Sequence, residues 1–180
     1  MIKKTLILLL TMSGITLFAQ PPSSEAEYEK TYQRRIKKDV LYGVYIPADL
    51  ADAFSQLNKL IDVESKKKFK SVEEGQASRK LHFSFGRWIN HNWGFYGGSR
   101  FSHYLKSLKL YDPDIMSKFV IITYHRYLNG RPLEVKSLLE AFALEREKKA
   151  ADRISKGKVI FEKTRKLDPS EIPPSKKENH

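Results

Sequence analysis

The chain of 180 residues contains no cysteine. Disulfides, thiolate zinc sites, iron–sulfur clusters, cysteine nucleophiles and a lipid-modified cysteine at a mature N-terminus are therefore excluded. No uninterrupted apolar run reaches the length of a membrane span. Internal repeats and heptad runs are lacking too, which removes solenoids and coiled coils.

Catalytic signatures are equally sparse. His82, His91, His103, His125 and His180 offer no i, i+4 pair, no His-Glu-x-x-His arrangement and no carboxylate at metal-site spacing, so no metal and no cofactor are expected. The turn from Gly94 to Ser99 does not end in Gly-Lys-Ser/Thr and is no phosphate loop. Neither Ser84 nor Ser99 has the surroundings of a nucleophile elbow.

What is present is a strongly basic chain, with 33 Lys and Arg against 21 Asp and Glu and a pI near 9.7. A hydrophobic fraction of 41% with 10 Phe, 9 Tyr and 2 Trp is enough to build a core. The positive charge is spread out, densest at Lys66-Lys67-Lys68 and between Lys148 and Lys166. Spread charge on an exported chain reads as a solvated surface, and no nucleic-acid partner is expected.

The address is written at the N-terminus. Lys3-Lys4 precede a short apolar stretch from Leu6 to Phe18, and Ala19 is followed by Gln20-Pro21-Pro22. This is the layout of a secretory signal over residues 1–19, cleaved after Ala19. Cleavage leaves no stable transmembrane segment, and the expected location is the periplasm of a Gram-negative bacterium or the outside of the cell. An uncleaved N-terminal anchor is the alternative.

Residues 20–40 read as a polar linker or a loosely docked helix. Val40 to Ile46 is an apolar and aromatic run closed by Pro47. Leu50, Ala53, Phe54, Leu57, Leu60 and Ile61 then repeat with helical spacing, predicting a helix from about Pro47 to Asp62. Ser71 with Glu74 three residues later has the pattern of a capping box, predicting a short helix that starts there and is interrupted or ended around Gly75.

Phe85, Trp88 and Ile89 suit a short buried helix that stops at Gly94, and Ser99 is placed to cap a helix carrying Phe101, Leu105 and Leu108. Asp112-Pro113 opens a further helix as cap and first-turn proline, and Asn129-Gly130 closes it. A last helix begins near Leu133, thins beyond Leu144 and breaks at Gly157. The expected fold is all-α: a compact bundle of about five short helices over residues 41–132, a longer C-terminal helical extension over 133–167, and a disordered tail over 168–180.

One segment combines aromatic rings with polar donors. In Gly86-Arg87-Trp88-Ile89-Asn90-His91-Asn92-Trp93-Gly94, residues Arg87, Asn90 and His91 fall on one helical face. Gly97-Gly98 lets the backbone approach a ligand, and a helix starting at Ser99 offers free N–H groups to an anion. Arg87 and Arg100 would supply planar forks. With Trp93, and with His125 and Arg126 from Tyr124-His125-Arg126-Tyr127, these residues form the candidate ligand-binding set: Arg87, Asn90, Trp93, Ser99, Arg100, His125 and Arg126.

His125 is also the candidate acid or base of an enzyme, provided that a carboxylate or second base reaches it. The competing architectural reading pairs Arg87 and Arg100 with Asp112 or Asp114, uses Asn90 and Asn92 as helix caps, and puts the tryptophans in the core. Three functions thus stand: a module that binds an anionic group on an envelope protein, a glycan or a small ligand; an envelope enzyme; and a purely structural domain.

Several motifs occur in a fixed order: Ile46-Pro47-Ala48-Asp49-Leu50, His82 through Gly94, Gly98-Ser99-Arg100-Phe101-Ser102, Asp112 through Ser117, and Tyr124 through Gly130. Together they resemble a small domain family of unknown function from Bacteroidetes-type bacteria. The resemblance runs from about Tyr45 to Leu133. That family more often carries Arg where His91 stands. It implies domain limits and supplies no reaction.

Overall fold

The computed structural model of the protein describes residues 24–157. The expected signal over 1–19 and the expected tail over 168–180 lie outside the described residues. The chain divides into two units at Val135.

The first unit opens with α1 (Glu25–Arg35), capped by Ser24, whose hydroxyl accepts from the Glu27 N–H. Two acidic residues in its first turn and two arginines in its last turn match the helix dipole. A minimal antiparallel hairpin follows, β1 (Val40–Leu41) and β2 (Val44–Tyr45), with Leu41 opposite Val44. Its two connecting residues, Tyr42 and Gly43, both have positive φ, 52° and 80°. Two-residue hairpins demand this, and Gly43 meets the demand without strain. The apolar run before Pro47 is thus a hairpin, with Ile46 fully buried behind it.

Helix α2 (Leu50–Leu60) starts three residues later than the apolar spacing predicts, because Asp49 is its cap and accepts from the Asp52 N–H. Leu50, Ala53, Phe54 and Leu57 form its buried face. Asp62 then caps α3 (Val63–Ser71).

The expected capping box at Ser71 and Glu74 does not form. Phe69 is buried against Tyr124, Phe85 and His125, and its burial keeps the chain helical through Ser71, whose hydroxyl donates back to the Lys68 carbonyl. The next helix, α4 (Glu74–Leu81), is capped by the Glu73 carboxylate, which accepts from the N–H groups of Gly75 and Gln76. Gly75 therefore lies in its first turn rather than interrupting it. Those two bonds hold the Glu73 carboxyl below its ordinary range.

A π-helical turn (His82–Gly86) carries α4 directly into α5 (Arg87–Asn92). The expected buried helix is real at Ile89, but Phe85 is only half-buried and Trp88 is exposed.

Ser99 caps α6 (Arg100–Ser107) with a reciprocal box involving Ser102. Asp112 caps α7 (Pro113–Leu128), with Pro113 in the first turn. Helix α7 is the centre of the unit, packing on α2 to α6 and on the π-turn. Every residue from Phe119 to His125 is buried, so the helix is enclosed rather than one-faced. Gly130, at φ 63°, turns the chain after it.

The second unit holds most of α8 (Val135–Lys156), which ends just before Gly157. Leu138 and Phe142 are buried, whereas every residue from Arg146 to Gly157 is exposed. Ion pairs Lys149–Glu145 and Lys156–Asp152, both at i, i+4, decorate that solvated stretch. The architecture is all-α, with a long C-terminal helix and one very small hairpin. Among the described residues no helix is long and apolar enough to cross a membrane.

Candidate functional site

The seven candidate residues fall into distinct neighbourhoods. His125 and Arg126 meet the junction of α3 and α4. His125 is buried, and its Nε2 lies 2.9 Å from the Val72 carbonyl oxygen while its Nδ1 has no hydrogen-bond partner. Its other polar neighbour is the Asn129 amide nitrogen, 3.5 Å from Nε2. A ring fixed edge-on to Phe69, with a carbonyl on Nε2, serves to tie α7 to the end of α3.

Arg126 is held still more firmly. Its Nε and Nη2 donate to the two Glu74 oxygens at 2.9 and 2.7 Å, and Nη1 donates to the Leu133 carbonyl at 2.7 Å. Arg131 adds a second cation 3.3 Å from Glu74. The Arg126 hydrogen bonds, outweighing the cost of burial, hold the Glu74 carboxyl below its ordinary range and raise Arg126 in turn.

Arg100 is committed to the junction of the hairpin with α2. Its Nε donates to the Ile46 carbonyl at 2.6 Å, its guanidinium lies 5.0 Å from the Tyr45 ring centre, and Nη2 stands 3.8 Å from Asp52. Burial works against the Asp52 anion, but bonds from the Ala48 N–H and the Tyr45 hydroxyl hold its carboxyl low. Of the two arginines expected to pair with Asp112 or Asp114, Arg100 pairs with Asp52 instead, while Arg126 pairs with Glu74.

Ser99 and Trp93 are inside the protein. Ser99 is fully buried and exchanges hydrogen bonds with Ser102, so part of the N-terminus of α6 is satisfied within the helix. Trp93 packs edge-on to Phe101 and Trp88. Arg87 projects from α5 into solvent and makes no ion pair or hydrogen bond among the described residues.

Asn90 is the candidate that reaches a concave surface. It is 1% exposed, and its Nδ2 donates to Asp114 at 3.0 Å, which ties α5 to the first turn of α7. Its Oδ1 is buried without a hydrogen-bond partner. A buried amide oxygen left bare costs about 1–3 kcal/mol unless something donates to it.

Asn90 lines a groove of about 430 Å³ together with His91, Asn92, Gly94, Tyr96 and Gly97 on one side and Arg35, Leu41, Tyr42 and Val44 on the other. Arg35, at the end of α1, is the residue that sequence reasoning missed. Its Nε donates to the Gly98 carbonyl at 2.8 Å, and Nη1 donates to the Tyr42 hydroxyl at 2.9 Å. Its Nη2 lies over the glycine turn, about 3.1 Å from where a side chain on Gly94 or Gly97 would begin. No carboxylate pairs with Arg35 among the described residues.

The close approach of α1 requires glycine at position 98. Gly98 has φ 81°, and a Cβ there would sit 2.4 Å from the Tyr32 ring. Tyr32 in turn bonds His103 through its hydroxyl at 3.2 Å and lies under the Lys106 ammonium, so α1 is fastened to α6 as well as to the turn. No buried residue on α1 signals this docking.

Among the described residues no group of three or more His, Asp or Glu side chains could hold a metal ion. No curated protein and no solved structure matches the chain. The groove straddles the edge of a domain that begins at residue 46, since Arg35, Leu41, Tyr42 and Val44 precede that residue and Asn90 to Gly97 fall within the domain. That domain, residues 46–128, runs from the buried isoleucine after the hairpin to the last residue of α7, and over it the chain matches the family model described as a domain of unknown function (DUF6794).

Proposed function

We propose that the protein is an exported binding module that recognises an anionic group in the groove between α1, the hairpin and the turn after α5. The observation that carries this reading is Arg35, a half-buried guanidinium held in place by the Gly98 carbonyl and the Tyr42 hydroxyl, with no carboxylate partner of its own among the described residues. A pre-positioned, unneutralised guanidinium beside glycine backbone is suited to a planar anion. Asn90, Asn92, His91 and Tyr96 line the groove around it with polar side chains. Export rests on the signal-like residues 1–19, and a bacterial envelope ligand on that address together with the motif order across residues 45–133.

His125 gives the enzyme reading little support: its ring nitrogen meets a carbonyl and an amide, with no carboxylate in hydrogen-bond reach among the described residues. Arg100, Arg126, Ser99 and Trp93 support an architectural role for that part of the candidate set. The anion site is then Arg35 with Asn90, while Arg87, three residues before Asn90, is a solvent-facing cation.

The test is an amide NMR titration of the full chain with sodium acetate against sodium chloride at equal ionic strength. Saturable acetate-specific shifts at Asn92, Gly94, Gly97 and Gly98 are expected. Shifts no larger there than on the exposed stretch of α8 would remove the groove as the anion site.

A further inference from the structure

Aromatic faces flank the same groove and narrow the chemistry of its ligand, an inference that rests on the anion-site reading. Tyr42 is 90% exposed and Tyr96 66% exposed, and both line the groove. Tyr42 occupies the first central position of the hairpin at φ 52°, where Asn or Gly is the unstrained choice. Positive φ is costly for a bulky side chain, and retained strain of this kind clusters at ligand clamps. The strained backbone holds the Tyr42 ring 5.4 Å from the Arg35 guanidinium carbon and its hydroxyl on Arg35 Nη1. Tyr96 places its hydroxyl 3.4 Å from the Asn90 amide nitrogen.

The groove sets two requirements. Arg35 calls for an anion. Exposed tyrosine rings call for a flat, weakly polar face that can lie against them. A sugar ring carrying a carboxylate meets both: its axial C–H groups stack on an aromatic ring, and its carboxylate accepts from a guanidinium.

An acidic peptide meets them less well. Each hairpin strand has only two residues, which leaves too little edge for strand addition, and Leu41 and Val44 are the aliphatic side chains in the groove. No lysine lines the groove, so its charge matches a single carboxylate better than a phosphate cluster.

We infer that the groove binds a uronic-acid-type unit of an acidic glycan. The experiment is fluorescence anisotropy of a fluorescein-labelled oligouronate with the full chain, competed by unlabelled oligouronate, by cellohexaose and by hexaglutamate. Saturable binding is expected, with cellohexaose and hexaglutamate each weaker competitors by about tenfold or more. Tyr96→Ala is expected to weaken the oligouronate by about fivefold or more.

If hexaglutamate competes as well as the oligouronate, the saccharide assignment is overturned and the anion site stands. If cellohexaose competes equally, the anion site falls and this assignment with it. Absence of oligouronate binding alongside acetate-specific shifts overturns the saccharide assignment alone.

Discussion

Arg35 donates from Nε to the carbonyl oxygen of Gly98 at 2.8 Å, joining positions 63 residues apart. That bond brings the end of a helix with no buried residue onto the glycine turn and leaves Nη2 facing the groove. The groove exists because α1 docks, and α1 docks because the turn carries no side chain in its path.

Gly98→Ala should therefore loosen α1. The new methyl would sit 2.4 Å from the Tyr32 ring and the backbone would keep an unfavourable φ of 81°. A loss of about 1–3 kcal/mol is expected in urea unfolding. In the Tyr32→Ala background the same change should cost less, because the clash is relieved and only backbone strain is left. Equal costs in both backgrounds would place the strain elsewhere.

The helix ends were the most legible part of the fold. Asp112-Pro113 and Ser99 act as caps where their side chains and spacing indicate, since capping is a local matter of one side chain and the next few N–H groups. Ser71 shows the limit of the same logic. Burying Phe69 among Tyr124, Phe85 and His125 extends α3 past the apparent cap, and Glu73 takes over.

The hairpin had a signal, Gly43 inside a β-branched and aromatic run, that points to a two-residue turn. Arg35 had none. Its role depends on a backbone oxygen and a tyrosine hydroxyl brought to it by tertiary structure. Arg126, by contrast, stood out in sequence, yet in the fold its donors go to Glu74 and Leu133.

Arg126→Met should expose the cost of that pairing. Glu74 would stay largely buried with only the more exposed Arg131 beside it, and a loss of about 2–4 kcal/mol is expected. Arg126→Met combined with Glu74→Met should recover much of it, because no unpaired charge is then enclosed. Chemical denaturation of the two variants decides this, and a double variant no more stable than the single one would refute it.

Acid stability should carry the mark of Glu74. Its folded pKa lies below the unfolded value, so the folded state binds fewer protons and the contribution is present above the ordinary glutamate range. It is lost as pH falls from about 5 through the lowered folded value. Urea midpoints measured against pH should fall over that window in wild type and fall less in Glu74→Gln. Parallel curves would assign the acid loss to other carboxylates.

At the alkaline end Tyr124 is the marker. Burial pushes its pKa up to about 12, with its hydroxyl donating to Asn58 Oδ1 at 3.0 Å. The raised folded value means that this contribution is intact below about 10 and is lost as pH rises toward 12. Ultraviolet titration of tyrosinate should show a late-ionising component that Tyr124→Phe removes. A wild-type curve superimposable on that of Tyr124→Phe would rule out the burial argument.

If Arg35 anchors an anion in the groove, the acetate-specific shifts of Gly94 and Gly97 must depend on its guanidinium and not on Arg87, the solvent-facing cation of α5. The decisive titration compares Arg35→Gln with Arg87→Gln, after both variants are shown to retain the wild-type melting transition. Arg35→Gln is expected to abolish the saturable shift, and Arg87→Gln to leave it unchanged. A shift that survives Arg35→Gln, or that is lost equally in both variants, would overturn the assignment of Arg35 as the anchor.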